Sequence, residues 1–210
     1  MRFISSAACL VLGCLVIACG DSGSQSDDPA TGGNAGDGGN TTADGGNANP
    51  GNGGAGAGSS GEPAELDGMT AEHNEERANV VPAAASPLPD LTWDPDIAAV
   101  AQAYAEVCVF EHSMGEYGEN LYVNTGYQAT PKEVVEGWAS EVEFYDYDEN
   151  SCVPGEMCGH YTQVVWAESL RLGCGVATCT VNSPFNNDEP WQNWVCNYDP
   201  PGNWVGEKPY

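Results

Sequence analysis

Apolar positions fall into three regimes along this chain: an unbroken run at the start, a long stretch with almost none, and a remainder in which they recur at regular spacing. In the last regime the earlier segments repeat at helical intervals. Thr70 to about Val80 predicts a first helix, with Thr70 as N-cap and acidic residues in the opening turns. Asp94-Pro95-Asp96 opens a second, with Asp94 capping, Pro95 at the first helical position, and Ile97, Val100, Tyr104 and Cys108 on one inward stripe. Thr130-Pro131-Lys132-Glu133 is a capping box that opens a third, with Val134, Trp138, Val142 and Tyr145 facing inward. Strands are predicted at Leu121–Asn124, Thr162–Trp166, Arg171–Val181 and Trp194–Asn197, which are rich in β-branched and aromatic residues and bounded by turn residues. Helices early and most strands late imply an α+β fold in which helices cover an antiparallel sheet.

Polar residues interrupt this pattern where a core should be. Glu141 follows Trp138 by three and Val134 by seven, on the inward stripe of the third helix. A carboxylate there is costly unless it is paired or coordinates a cation. His112 extends the inward stripe of the second helix, four after Cys108. Glu119 stands at the entry to one strand, and His160, between a glycine and an apolar β-branched run, precedes another. Two imidazoles and two carboxylates from four segments form a donor set that zinc and related divalent ions accept. They would equally serve as a hydrogen-bonded strut with no metal, and both readings stay open here. His73 reads as structural, because Asn74 and Arg77 beside it suit helix-to-loop hydrogen bonds. Trp138, Trp166, Trp191, Trp194 and Trp204 read as core or cleft wall.

The first two regimes carry no fold of their own. The apolar run from Phe3 to Ala18, after a single cation at Arg2, is shorter than a membrane span of about 20 residues and has the build of a secretory signal over 1–18. Val16-Ile17-Ala18-Cys19 resembles a bacterial lipobox, which makes Cys19 the expected lipidation site. Gly20 after it, in place of Asp, favours an outer over an inner membrane. Residues 19–63 are mostly Gly, Asn, Asp, Ser and Ala, too poor in apolar groups to offset ordering entropy, and are expected to form a disordered tether spanning on the order of 35–40 Å. What remains is one domain's length.

The net charge of −26 excludes several function classes. Nucleic-acid binding depends on neutralising phosphates, and adhesion to anionic headgroups depends on basic patches; this chain has 5 basic residues against 31 acidic ones. The only membrane association expected is through the lipid anchor, and a monomer is expected. Of nine cysteines, Cys9 and Cys14 leave with the signal and Cys19 takes lipid. Six remain, which in an exported domain implies three disulfides. Cys152 and Cys158 flank a short turn-rich loop that lets them pair. Cys174 and Cys179 sit on opposite faces of one predicted strand and cannot bond to each other. That leaves Cys108–Cys179 with Cys174–Cys196, or Cys108–Cys174 with Cys179–Cys196.

Ordered motifs then point to a family. Gly159-His160-Tyr161-Thr162-Gln163-Val164-Val165-Trp166, Gly118-Glu119-Asn120-Leu121 and Cys196-Asn197-Tyr198-Asp199-Pro200-Pro201-Gly202-Asn203-Trp204 resemble the signature segments of the CAP superfamily: cysteine-rich secretory proteins, antigen 5 and pathogenesis-related protein 1. His73-Asn74-Glu75-Glu76-Arg77 resembles a further motif. The resemblance covers 66–210 and is strongest to the plant pathogenesis-related branch. It implies an α-β-α sandwich, favours Cys108–Cys179 with Cys174–Cys196, and places His112, Glu119, Glu141 and His160 in a cleft tetrad, although the loop from His112 to Glu119 is about two residues longer than in the plant relatives. It also implies sterol or fatty-acid binding, usually near the aromatic loop that here runs Phe144-Tyr145-Asp146-Tyr147-Asp148-Glu149-Asn150, whose acids make it a polar gate.

The expected function is that of an exported, lipid-anchored binding module for a sterol or fatty acid, with a divalent cation such as zinc in its cleft. A metal-dependent hydrolase using Glu119 or Glu141 as base is the alternative. An enzyme is the less favoured reading, since there is no Gly-x-Ser-x-Gly elbow and the cysteines are committed to disulfides. A scaffold is a third reading. Cys196 to Asn203 resembles the plant branch's release site for a C-terminal peptide, with cleavage after Asp199; packing of 200–210 over the sheet, anchored by Trp204, is preferred.

Overall fold

The computed structural model describes residues 61–210, so the signal, Cys19 and nearly all of the tether lie outside it. Four helices and six strands build the domain: α1 Met69–Ala78, β1 Thr92–Trp93, α2 Pro95–Ala105, β2 Gly118–Thr125, α3 Pro131–Ala139, β3 Tyr145–Asp146, β4 Ser151–Cys152, α4 Gly159–Val164, β5 Arg171–Cys179 and β6 Trp191–Asp199. Short 3₁₀ turns precede α1 at Ala64–Leu66 and follow α3 at Ser140–Phe144. The main sheet runs β1-β5-β6-β2, and β3 and β4 form a separate hairpin. The sheet is antiparallel except that β1 joins β5 in parallel, a mixed edge that sequence alternation does not foretell.

The sheet sorts its side chains by alternation, as the two-residue strand period requires. Leu172, Cys174, Trp194, Cys196 and Tyr198 face α1, α3 and α4, where they meet Met69, Val134, Trp138, Tyr161 and Val164. Leu121 and Val195 point the other way, against Ala101 and Ala105 of α2. This is an α-β-α sandwich with three helices on one face and one on the other. Cys174 and Cys196 are cross-strand neighbours and are bonded to each other. Cys108 is bonded to Cys179, and Cys152 to Cys158.

Several elements differ from the pattern-based expectation for identifiable reasons. Thr70 does not cap α1. Gly68, with φ 96°, is the N-cap, and the Glu62 carboxylate takes the free N–H groups of Gly68 and Thr70 at 2.9 and 2.7 Å. Glu62 thus belongs to the domain although it lies in the stretch read as tether. On α2 the buried face is Ile97, Ala98, Ala101 and Ala105, while Val100 is 49 % exposed. Small residues win because the backbones are in contact: a β-carbon on Gly173 or Gly175 of β5 would overlap the backbone of Ala98 or Gln102. The helix stops at Ala105, so Cys108 and His112 lie on the following loop instead of on its stripe. The third helix has its capping box but ends at Ala139, leaving Glu141 and an exposed Val142 on the 3₁₀ turn and Tyr145 opening β3.

The largest departure is Thr162–Trp166, which is helix α4 and its C-terminal turn, not a strand. Burial decides it. Tyr161, Val164 and Val165 recur at helical spacing and all enter the core, and that packing outweighs the β-propensity of the residues.

His73 provides a test of the packing beneath α1. It is fully buried, with Nδ1 on the Met69 carbonyl at 2.7 Å and Nε2 on the Tyr198 hydroxyl at 2.8 Å. Burial lowers its pKa from 6.5 to about 4. The unfolded chain therefore takes up a proton near pH 6.5 that the native state refuses until about pH 4, so stability falls as pH drops through that window. The loss attributable to His73 should approach about 3 kcal/mol at the acid end. Urea unfolding between pH 7 and 4 should show this slope in the wild type and a shallower one in His73→Gln.

Candidate functional site

The GHYTQ segment is held from three sides. Glu141, on the 3₁₀ turn after α3, accepts the backbone N–H groups of His160 and Tyr161 at 2.9 and 3.2 Å and meets His160 Nδ1 at 2.6 Å. From β2, Asn120 donates to the His160 carbonyl at 3.0 Å and to the Tyr198 hydroxyl at 3.1 Å. Asn203, from the C-terminal segment, donates to the Gly159 carbonyl at 2.8 Å and accepts from the Thr162 hydroxyl at 2.7 Å. The His160 ring lies nearly parallel to Trp138, with centroids 6.3 Å apart.

Glu119 and His112 form a second pair on the neighbouring edge of the sheet. His112 Nδ1 and the Ser113 N–H meet Glu119 Oε1 at 2.8 and 2.9 Å. The His112 side chain is 56 % exposed and that of Glu119 only 7 %. Burial pushes the Glu119 carboxyl up, but the hydrogen bonds from His112 and Ser113 outweigh it and hold its pKa below the ordinary carboxylate value. Its second oxygen, Oε2, is buried and has no partner. The four residues form two His–Glu pairs, and Asn120, next to Glu119 on β2, bonds to the His160 carbonyl. Among the described residues no group of three or more His, Cys, Asp or Glu side chains is arranged to hold a metal ion. In both pairs Nδ1 faces a carboxylate and Nε2 is the remaining nitrogen, the arrangement that orients an imidazole for an outside ligand.

Two hollows open in the domain, one of them beside this frame. One, of about 900 Å³, opens along β5 beyond β1, between the 3₁₀ turn before α1, the first turns of α2 and the residues before α3. Trp93, Leu66, Pro63, Ala98, Val176, Ala129 and Trp194 wall it, and Glu65 is its one charged lining residue. Gln102 closes the strand edge there, accepting from the Val176 N–H and donating to the Val176 carbonyl at 3.0 and 3.1 Å. The other hollow, about 360 Å³, lies between the β3–β4 hairpin, α4 and the C-terminal segment, and includes Glu156 and Glu207.

Residues 70–198 match the sequence profile of the CAP, or cysteine-rich secretory protein, family. The chain belongs to this family. Among CAP relatives, pathogenesis-related protein PR-1 of Medicago truncatula is 45 % identical over 131 residues, covering 60 % of this chain and 72 % of the relative. Pathogenesis-related protein 1A of Nicotiana tabacum is 45 % identical over 142 residues, 66 % of this chain and 76 % of the relative. Peptidase inhibitor 16 of Mus musculus is 42 % identical over 140 residues, which are 66 % of this chain and 28 % of that protein. The CAP fold is shared with venom allergen-like protein 4 of Schistosoma mansoni, at TM-score 0.54 and 23 % identity over 71 % of this chain and 95 % of that one. The three disulfides place this CAP domain in an oxidising compartment outside the cytosol.

The C-terminal segment is bound down, though not by Trp204. That side chain is 55 % exposed at the outer turn, where Glu207 N–H meets the Trp204 carbonyl at 3.0 Å. The holds are the backbone bonds Gly202 N–H to Gln163 Oε1 at 3.1 Å and Ala167 N–H to the Pro209 carbonyl at 2.7 Å, with Ser169 Oγ on the Pro200 carbonyl at 2.8 Å. A β-carbon on Gly202 would overlap the Trp166 ring and crowd Gln163. Sequence reading missed Asn120, Gln163, Ser169 and Asn203. Asn120 was findable as a polar residue at an inward strand position; the others hold backbone groups, a role with no local signature.

Two outcomes follow from this frame. Glu141→Ala leaves two backbone N–H groups and an imidazole without their acceptor and should destabilise the domain by about 1–3 kcal/mol in urea unfolding. Release of residues 200–210 requires breaking the bonds that hold them, so mass spectrometry of culture supernatant should find no abundant peptide beginning at Pro200.

Proposed function

We propose that this CAP protein is an exported binding module for a small, largely apolar ligand of the sterol or fatty-acid class, tethered to the envelope by a lipid on Cys19 and carrying a divalent-cation site at His112 and His160. The observation that carries the reading is the 900 Å³ hollow along β5, with mostly uncharged walls in a protein of net charge −26. Its size is within the range of about 300–1,000 Å³ typical of small-molecule sites, and its apolar walls are joined by Gln102, Gln128, Thr130, Thr178 and Gln192, which suit the polar end of such a ligand. The aromatic loop Phe144–Asn150 is the less suitable gate, since the hollow beside it brings Glu156 and Glu207.

The cation part of the proposal rests on the two imidazoles, each with Nδ1 on a glutamate, and on the unpartnered buried Glu119 Oε2. A bound divalent ion would supply Lewis acidity and fixed positive charge in the cleft. Glu141 holds His160 and Tyr161, and Glu119 holds His112 and Ser113. Glu141 uses both oxygens in this way, which removes it as a free base; Glu119 uses one, and its other oxygen is buried at 7 % side-chain exposure, which favours the binding reading over a hydrolase that activates water there. The mass of the mature N-terminus reads out acylation of Cys19 directly.

The ligand test uses a fluorescent sterol and a fluorescent fatty acid with the purified protein. Saturable binding of at least one is expected, weakened about tenfold or more by Thr178→Trp, which narrows the hollow from an exposed strand position and should leave stability within about 0.5 kcal/mol. Absence of saturable binding by either probe would contradict the reading. Calorimetric titration with zinc should show one site that His160→Ala and His112→Ala each abolish; heat unchanged in both variants would remove the cation from the proposal.

A further inference from the structure

The outer edge of β5 is open where the larger hollow lies. β1 pairs only with Arg171 and Leu172, so from Gly173 to Cys179 the side away from β6 has no neighbouring strand among the described residues. The Asp94 N–H donates to the Leu172 carbonyl at 2.8 Å, so Leu172 presents its main-chain carbonyl to this side. Alternation along the strand turns the main-chain groups of Val176 and Thr178 the same way. Val176 bears this out, because its N–H and its carbonyl meet the Gln102 side-chain amide at 3.0 and 3.1 Å. Both residues line the hollow, Val176 half-buried and Thr178 exposed.

A side-chain amide that accepts from and donates to one strand residue does what a peptide group of an adjacent strand would do. Gln102 is not committed to that task. Its Nε2 also donates to Oε1 of the exposed Glu106, one turn further along α2, at 2.9 Å. Turned wholly to Glu106, it frees Val176 two residues from Thr178, whose outward main-chain groups meet no protein partner among the described residues. An edge of this kind pairs with an extended chain that offers amides in register. The rest of the hollow decides what that chain carries. Trp93, Leu66, Pro63 and Trp194 give it apolar walls, and Glu65 is its one charged lining residue. A free fatty acid would bring a second carboxylate there, with no cation to receive it, in a protein of net charge −26. An acyl chain joined through an amide brings no charge and supplies the N–H and C=O that the edge lacks.

We propose that the hollow takes an N-acylated peptide, with the acyl chain against Trp93, Leu66 and Trp194. The peptide, extended, pairs with Val176 and Thr178 after displacing the Gln102 amide. This assignment rests on the reading of the hollow as an apolar-ligand site and names the polar half of its ligand. Recognition is by main chain, so the amides supply specificity to an acyl chain that has none of its own.

The test titrates the full chain with three monomeric probes while NMR follows the Val176 and Thr178 amides. The probes are N-lauroyl-triglycine amide, its trisarcosine counterpart, in which N-methyl groups replace the three peptide N–H groups, and lauric acid. Saturable binding of the triglycine probe is expected, with slowed exchange of the Thr178 N–H and affinity about tenfold or more lower for the other two. Thr178→Pro removes the edge N–H at a position where an edge strand accepts proline. It should weaken the triglycine probe about tenfold, with thermal unfolding unchanged. Unchanged binding by that variant overturns the pairing with β5. Equal binding of the trisarcosine probe or of lauric acid overturns the amide assignment and leaves the apolar-ligand reading standing. No saturable binding of any probe overturns both. A Thr178 N–H already protected in the chain alone assigns the edge to the residues preceding Gly61, which lines the same hollow, and overturns the ligand assignment.

Discussion

Arg77 is a buried cation in a strongly acidic protein, and it is satisfied without a single carboxylate. All five guanidinium N–H groups donate to backbone carbonyls: two to Pro89, and one each to Val164, Trp166 and Ser169. Burial lowers its pKa to about 10, which still leaves it charged at neutral pH. The carbonyls it collects include Val164, the last residue of α4, where the helix dipole favours a cation. One side chain thereby joins α1, the segment entering β1, and the turn between α4 and β5. Asn74 adds a two-way bond to the backbone of Leu91, at 2.7 and 3.0 Å, and His73 ties α1 to Tyr198 on β6. The His73-to-Arg77 segment is the knot of the three-helix face.

The candidate site inherits its geometry from that knot. Arg77 fixes the C-terminal end of α4, while Glu141 and Asn203 hold its first turn, so His160 sits on a helix of one and a half turns gripped at both ends. A helix that short has no stability of its own. Its conformation is imposed by the burial of Tyr161, Val164 and Val165 and by polar contacts from α1, the turn after α3, β2 and the C-terminal segment. Residues 200–210 contribute directly to the site because they brace the backbone on either side of His160.

This explains which parts of the molecule were legible in the sequence. Asp94 with Pro95, and Thr130 with Glu133, announce α2 and α3 because capping is local chemistry between residues two or three apart. The motifs around His160, Glu119 and Cys196 announce the family, and with it the sandwich and the pairing of cysteines. Thr162–Trp166 was misread because its β-branched residues favour a strand, whereas the forces making it helical come from residues as far away as Arg77 and Asn203. The alanine face of α2 was hidden for a similar reason, since it answers Gly173 and Gly175 some seventy residues later. Glu141 stands out in the sequence as a carboxylate on an inward stripe, but the helix carrying that stripe ends two residues earlier. The anomaly marked a polar clamp, and spacing alone does not tell a clamp from a ligand.

The two hollows differ in chemistry, one nearly uncharged along β5 and one beside α4 carrying two carboxylates. The frame itself is the central claim, and Arg77→Lys tests it most directly. Lysine keeps the charge but offers three donors from a single nitrogen, and cannot reach carbonyls spread across three segments. The account predicts a loss of about 3 kcal/mol or more in urea unfolding, accompanied by a change in the His160 imidazole resonances as the end of α4 is freed. A variant within about 0.5 kcal/mol of the wild type, with His160 unmoved, would contradict it.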